Sequence, residues 1–133
     1  MKRILFVCVE NSNRSQMAEA FARAHGGARV DARSAGSRPS GQINPRAIAM
    51  MAERGIDLSK QFSKSLQDIG AAPFDVVVTM GCGDTCPWVA ATRREDWALP
   101  DPKDLPDDGF RSVRDEIESR VQALLRELPA DAY

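Results

Sequence analysis

Cysteine, histidine and charge of one sign are all scarce in this 133-residue chain. It holds three cysteines and a single histidine, and 18 basic residues stand against 19 acidic ones for a formal net charge of -1. Each shortage excludes something. A near-neutral balance argues against a general nucleic-acid binder, which carries a basic excess or stripe. No apolar run approaches the roughly 18 residues of a membrane span, and Met1-Lys2-Arg3 leads directly into an apolar segment instead of a signal peptide. A cytoplasmic monomer with no membrane partner is expected. In a reducing compartment three thiols suit catalysis or metal binding better than structural disulfides, and an odd count leaves one without a permanent partner. A structural zinc site normally takes four ligands, and His25 lies at the far end of the first predicted helix from Cys8, so no metal site and no cofactor are expected. Internal repeats, low-complexity tracts and linkers are also missing. The hydrophobic and charged fractions, 43% and 28%, are those of an ordinary globular protein, and one domain over residues 1–133 is expected.

What is present is concentrated in one stretch. Ile4-Leu5-Phe6-Val7 has the length and composition of a buried strand, and Gln16-Met17-Ala18-Glu19-Ala20-Phe21-Ala22 has helical periodicity. A short polar loop joins them, opened by Cys8 and closed by Arg14 at the spacing Cys-x5-Arg. Successive backbone N–H groups over Val9, Glu10, Asn11, Ser12, Asn13, Arg14 and Ser15, with the positive end of the helix dipole, form a concave site for a tetrahedral oxyanion. A thiol attacks as thiolate, and a helix N-terminus with a neighbouring guanidinium favours that form. Arginine grips two oxygens of an anion through its planar fork, which lysine does less well. The stretch therefore offers an activated sulfur at the bottom of an anion cradle. The competing reading makes Cys8 a buried strand-end thiol and Arg14 a solvated helix-start residue.

The remaining chain supplies the frame. The first helix should end near Gly26-Gly27, and Val30 to Ala35 reads as a second strand closed by Gly36. Strand, helix and strand with short links form a right-handed crossover unit, which implies parallel strands and an α/β fold. Asn44 and Pro45 start a second helix as N-cap and first helical residue, with Ile48, Met51 and Ala52 facing inward and Gly55 as its stop. The polar patch from Ser59 to Ser65 reads more readily as a solvated loop than as part of the anion site, and a short helix follows from Leu66 to Ile69. Phe74-Asp75-Val76-Val77-Val78-Thr79-Met80 has the β-branched density of a strand buried on both faces. A fourth short strand is expected over Glu95 to Leu99, then a rigid turn, Pro100-Asp101-Pro102-Lys103. A final helix from about Phe110 carries Val113, Ile117, Val121, Leu124 and Leu128 inward. Ser112 with Asp115 resembles a capping box, and Arg114–Glu118 and Glu116–Arg120 are expected as surface pairs.

Cys82 and Cys86 follow the third strand, so Cys8 and Cys82 are expected at the same carboxyl edge of a parallel sheet, where ligands bind. Three thiols there permit either soft metal ligation or thiol–disulfide exchange, in which a thiolate attacks sulfur and the chain must move. Gly81 and Gly83 flank Cys82 and supply that freedom.

Val7 to Glu19 resembles the anion loop of the arsenate reductases that share the low-molecular-weight protein tyrosine phosphatase fold. The likeness continues through Ser34-Ala35-Gly36, Asn44-Pro45, Val77 to Met80, the Cys82/Cys86 segment, Trp97 and Asp101-Pro102, covering nearly the whole chain. It implies a single-domain, three-layer α/β/α fold with a central four-stranded parallel sheet. It further implies that arsenate docks on the loop amides and Arg14, that Cys8 attacks arsenic, and that Asp101 is the general acid. Cys82 and Cys86 would then relay the oxidation to an external reductant, thioredoxin. Asn11 and Ser15 would assist the thiolate. Some relatives bind potassium through residues matching Asn11, Glu19 and Ser34, but this chain has Lys64 where they add an acid, and the resemblance then implies a fixed ammonium in place of the cation. Two departures bear on the reductant. The relay cysteines are separated by only three residues, and Cys82 is displaced by one position after the strand. Glutaredoxin or mycothiol coupling is the alternative. So is phosphatase activity, although Gln16 and Lys103 stand where phosphatases carry proline and an aromatic residue.

Overall fold

The computed structural model describes residues 1–69, 73–81 and 89–128. Strands β1 (Lys2–Cys8), β2 (Val30–Gly36), β3 (Phe74–Thr79) and β4 (Ala91–Asp96) form one sheet in the order β2-β1-β3-β4, with every neighbouring pair parallel. Helices α1 (Arg14–Gly26), α2 (Pro45–Ala52) and α3 (Asp107–Glu127) complete the expected α/β architecture.

The two central strands are where the apolar runs lie. Ile4 to Val7 and Val76 to Val78 are at most 1% exposed, as strands covered on both faces require. Alternation divides their side chains between two cores. Ile4, Phe6, Val76 and Val78 join Met17 and Phe21 of α1, Met50 and Met51 of α2, and Phe110, Ile117 and Val121 of α3. Leu5, Val7 and Val77 face the other way with Ala35, Ile69 and Phe74. Among the described residues, Leu66, Ile69 and Val89 cover that second core, at a 3-10 turn over Leu66–Asp68 and at the approach to β4.

Three local expectations are corrected. The fourth strand runs from Ala91 to Asp96, not from Glu95 to Leu99, because its polar residues pair with β3 from Phe74↔Ala91 to Thr79↔Asp96. Charged residues suit an edge strand. The apolar signal at Trp97 and Leu99 comes from core contacts beyond the strand, with the Trp97 ring 5.8 Å from that of Phe6. The last helix begins at Asp107 after Pro106 in the N-cap position, which leaves Ser112 and Asp115 inside the helix and unable to cap it. Arg114 is buried at 5% exposure and does not pair with Glu118. It donates to the Met50 carbonyl at 2.9 Å and pairs with Glu53 and Asp115. Glu118 instead meets His25 at 2.9 Å, and the Glu116–Arg120 pair forms at 2.9 Å.

In α2, Asn44 caps as expected, accepting from the Arg46 N–H at 2.9 Å. The buried face is Ala47, Met50 and Met51, with Ile48 half-buried and Ala52 exposed, because eight residues pack only one narrow stripe. The carboxyl ends of β1, β3 and β4 are brought level by the Met80 N–H on the Val7 carbonyl (2.9 Å) and the Trp97 N–H on the Thr79 carbonyl (2.7 Å).

Candidate active site

The loop after β1 lies on the end of β2 because residue 36 is glycine. A Cβ there would sit 2.5 Å from the Val9 carbonyl oxygen, closer than atoms approach. The segment beyond Gly36 then holds the loop by its carbonyls. Ser37 N–H donates to Cys8 O at 3.2 Å, Arg38 to Val9 O at 2.9 Å, Ser40 to Glu10 O at 3.0 Å and Asn44 to Ser12 O at 3.1 Å. The peptide plane sets each N–H opposite the carbonyl before it, so these bonds turn the amides of Val9, Glu10, Asn11 and Asn13 to the inner side. Asn13 occupies the N-cap position of α1 without a side-chain cap bond, and the first turn holds no acid. The N–H groups of the helix start are thus neither capped by the Asn13 side chain nor faced by a first-turn carboxylate, as an anion site requires.

Cys8 is 3% exposed, and its sulfur has two donors in reach. The Asn11 N–H lies at 3.2 Å and the Ser15 hydroxyl at 2.8 Å. Asn11 adopts φ +52, the only non-glycine positive φ among the described residues, a conformation asparagine tolerates better than most. Its Nδ2 donates to Ser15 Oγ at 2.8 Å, and a sulfur in the thiolate form, with no proton of its own, accepts from the Ser15 hydroxyl.

Arg14 begins α1 with 8% exposure and donates from Nη1 to the Leu99 carbonyl at 2.8 Å. Gly81, at φ +82, leaves room for it, since a Cβ there would lie 3.0 Å from Nη1. Nη2 stands 4.0 Å from Asp101 Oδ2. The Asp101 carboxylate caps the 3-10 turn Pro102–Asp104 through the Lys103 N–H at 3.1 Å, and Asn13 Nδ2 approaches it at 3.5 Å. Asn13 Oδ1 is buried with no partner among the described residues. Arg46 of α2 ties the turn down by donating to the carbonyls of Lys103 at 3.2 Å and Leu105 at 2.7 Å. At the rim, Lys103 Nζ lies 3.8 Å from Glu10 Oε2.

Within the patch from Ser59 to Ser65, Gln61, Ser63 and Lys64 pack against this loop and the start of α1, which corrects the solvated reading for them, while Ser59, Lys60 and Phe62 are exposed. Ser63 Oγ donates to the Glu10 carbonyl at 2.9 Å, and the Lys64 N–H donates to Asn11 Oδ1 at 2.9 Å. The Lys64 ammonium sits 3.2 Å from Glu19 Oε1 and 3.4 Å from Ser34 Oγ, and Ser34 donates to Glu19 at 2.6 Å. A fixed cation therefore fills the space between Glu19 and Ser34. Among the described residues no group of three or more histidine, cysteine, aspartate or glutamate side chains is arranged to hold a metal ion.

Cys8, the loop residues Val9 to Ser15 and Asp101 are thus brought together at one sheet edge. Cys82 and Cys86 lie outside the described residues, but Gly81, immediately before Cys82, lies against Arg14. Sequence reasoning missed Gln61 as a contact of this site and the Leu99 carbonyl as the partner of Arg14. Neither carries a local signal, because both reach the loop only through the tertiary fold.

The family described as low molecular weight phosphotyrosine protein phosphatase matches residues 3–132. The chain is 42% identical over 131 residues to the glutaredoxin arsenate reductase of Synechocystis sp., covering 96% of this chain and 99% of that protein. It is 38% identical over 131 residues to an arsenate reductase of Bacillus licheniformis, covering 91% and 93%. Among solved structures it is similar to an arsenate reductase in the phosphate binding state, with a TM-score of 0.89 and 42% identity over 97% of this chain and 100% of that one. A thioredoxin-dependent arsenate reductase of Corynebacterium glutamicum gives a TM-score of 0.80 and 36% identity over 95% of this chain and 61% of that one.

Proposed function

The chain belongs to the low molecular weight phosphotyrosine protein phosphatase family, alongside its arsenate reductases, and from that premise we propose that it reduces arsenate to arsenite through a relay of three thiols. The observation that carries the reading is the donor set on Cys8, with the Ser15 hydroxyl at 2.8 Å and the Asn11 N–H at 3.2 Å from the sulfur inside a loop of inward amides. Such donors favour thiolate over thiol and hold a tetrahedral oxyanion within its reach.

The chemistry runs in balanced steps. Arsenate binds to the loop amides and the Arg14 guanidinium. The Cys8 thiolate forms a sulfur–arsenic bond, and one arsenate oxygen leaves as water with a proton from Asp101. Cys82 then attacks the Cys8 sulfur, and the electron pair of the breaking sulfur–arsenic bond passes to arsenic, which leaves as arsenite. This joins Cys8 to Cys82 in a disulfide. Cys86 attacks Cys82, freeing Cys8 as thiolate and leaving Cys82 joined to Cys86. An external dithiol supplies the two electrons that reopen that disulfide.

Thioredoxin is the reductant this three-thiol scheme favours, since a protein dithiol reopens a peripheral disulfide directly. The names of the relatives divide on this point, one glutaredoxin and one thioredoxin. A glutaredoxin or mycothiol route needs Cys8 and fewer of the other thiols. The test is multiple-turnover arsenate reduction with NADPH and either thioredoxin and its reductase or glutathione, glutaredoxin and glutathione reductase, repeated with each cysteine replaced by serine. The relay requires turnover with thioredoxin that is lost in Cys8→Ser, Cys82→Ser and Cys86→Ser. Turnover with glutaredoxin that survives Cys86→Ser overturns the three-thiol scheme, and efficient aryl phosphate hydrolysis without arsenate reduction overturns the reductase reading.

A further inference from the structure

We propose that Gln16 and Gln61 are positioning residues for the Cys8 thiolate, forming a one-way chain of amide donors from the surface of the 58–65 segment to the sulfur. Gln61 Nε2 donates to Gln16 Oε1 at 2.7 Å, and Gln16 Nε2 donates to Asn11 Oδ1 at 2.7 Å. Asn11 Nδ2 donates to Ser15 Oγ at 2.8 Å, and Ser15 Oγ stands 2.8 Å from Cys8 Sγ. Gln16, Asn11 and Ser15 are fully buried, so water does not compete for these groups.

Backbone groups, whose polarity is fixed, dictate the direction of every amide. Gln61 Nε2 also faces the Gln16 carbonyl at 3.1 Å, and a carbonyl only accepts, so nitrogen must stand there. Gln16 Nε2 faces the carbonyls of Phe62 at 2.8 Å and Asn11 at 3.1 Å, which fixes its amide in the same way. Asn11 Oδ1 faces the Lys64 N–H at 2.9 Å, which only donates, so its nitrogen must point to Ser15. Ser15 accepts from Asn11 and keeps its one proton, and a thiolate, which has none to give, can only accept it. A donor on sulfur stabilises the thiolate and not the thiol, and bonds in series polarise one another. Gln16 Nε2 has two protons for three acceptors, so the Asn11 carbonyl, the longest at 3.1 Å, shares the proton given to Asn11 Oδ1.

The proposal rests on the reading of Cys8 as a nucleophile, and its test uses no arsenate, so the two fail separately. Cys8 is alkylated with iodoacetamide across pH in a Cys82→Ser/Cys86→Ser background, with thermal unfolding measured alongside. Gln61 is only half-buried, so Gln61→Leu is the main variant and Gln61→Glu, which places acceptors where donors stood, is the second. Both should move the alkylation profile to higher pH by about 0.1 to 0.2 of a unit, because a bond removed at the far end of the chain acts on the sulfur only through polarisation of those between. Asp57→Ala removes the cap on Ser59 of the same segment (3.0 Å) without touching the amide chain. It should lower the unfolding temperature and leave the profile in place. An unchanged profile in both Gln61 variants overturns the proposal, as does an equal shift in Asp57→Ala, which would make the role one of loop stability alone.

Discussion

Arg14 is joined to Leu99 by a 2.8 Å hydrogen bond from Nη1 to the carbonyl, so the guanidinium of the anion loop is aimed by the segment that ends in Asp101. The arginine is therefore oriented before any anion arrives. Preorganised charge of this kind stabilises a transition state without reorganisation at the moment of reaction. Arg14→Lys keeps the charge and loses both the fork and the tether. A loss of about 100-fold in kcat/KM for arsenate is expected, measured by steady-state kinetics with inorganic phosphate as a competing anion.

Asp101→Asn should lower kcat by about 100-fold or more, the usual worth of a general acid, while phosphate binding changes little. An equal loss of phosphate binding would instead make Asp101 a positioning group for Arg14, whose Nη2 stands 4.0 Å from its carboxylate.

Gly81→Ala tests the close approach to Arg14. The backbone at φ +82 strains any other residue, and the new methyl would stand 3.0 Å from Nη1. Destabilisation of about 1 kcal/mol is expected from the backbone alone. The guanidinium must also shift, so weaker phosphate binding by calorimetry should accompany the lower unfolding temperature.

Lys64→Ala should leave the Glu19 carboxylate, 1% exposed, with Arg23 as its remaining cation at 3.0 Å. Removing one partner of a buried pair is costly, and with Arg23 still present a loss of about 2 kcal/mol is expected in denaturant unfolding. Potassium chloride should restore part of that stability more effectively than the chloride of a bulky cation.

Acid should loosen the α2–α3 contact through Glu53. Arg111 and Arg114 hold its carboxyl at about 2 instead of 4.5. With the folded value below the unfolded one, the contribution is fully present above about pH 4.5 and is lost as pH falls towards 2. Glu53→Gln should flatten that part of the stability curve, followed by circular dichroism.

The parts of the fold carried by local pattern were legible in the sequence. The runs Ile4 to Val7 and Val76 to Val78 are buried on both faces as their composition required, and Asn44-Pro45 starts α2. Cys-x5-Arg located the loop between β1 and α1, with Cys8 ending the strand and Arg14 starting the helix. What escaped depends on contacts distant in sequence. Trp97 and Leu99 looked like strand because burial, not pairing, made them apolar. Arg114 looked like a surface residue because its partners, Met50 and Glu53, lie on another helix. Gln61, Ser63 and Lys64 looked solvated because their polar groups are satisfied by Gln16, Glu10 and Asn11 instead of by water.

The rim pair of Lys103 and Glu10 bears on how the site meets bulk electrolyte. Its two side chains, 47% and 41% exposed, cancel each other at the mouth, while the attracting charge, Arg14, is buried. Exposed charges are screened within about 10 Å at ordinary ionic strength, and buried ones much less. Under the proposed function, capture of the oxyanion would then be a short-range event at the cradle floor, and phosphate binding followed by calorimetry should depend only weakly on ionic strength.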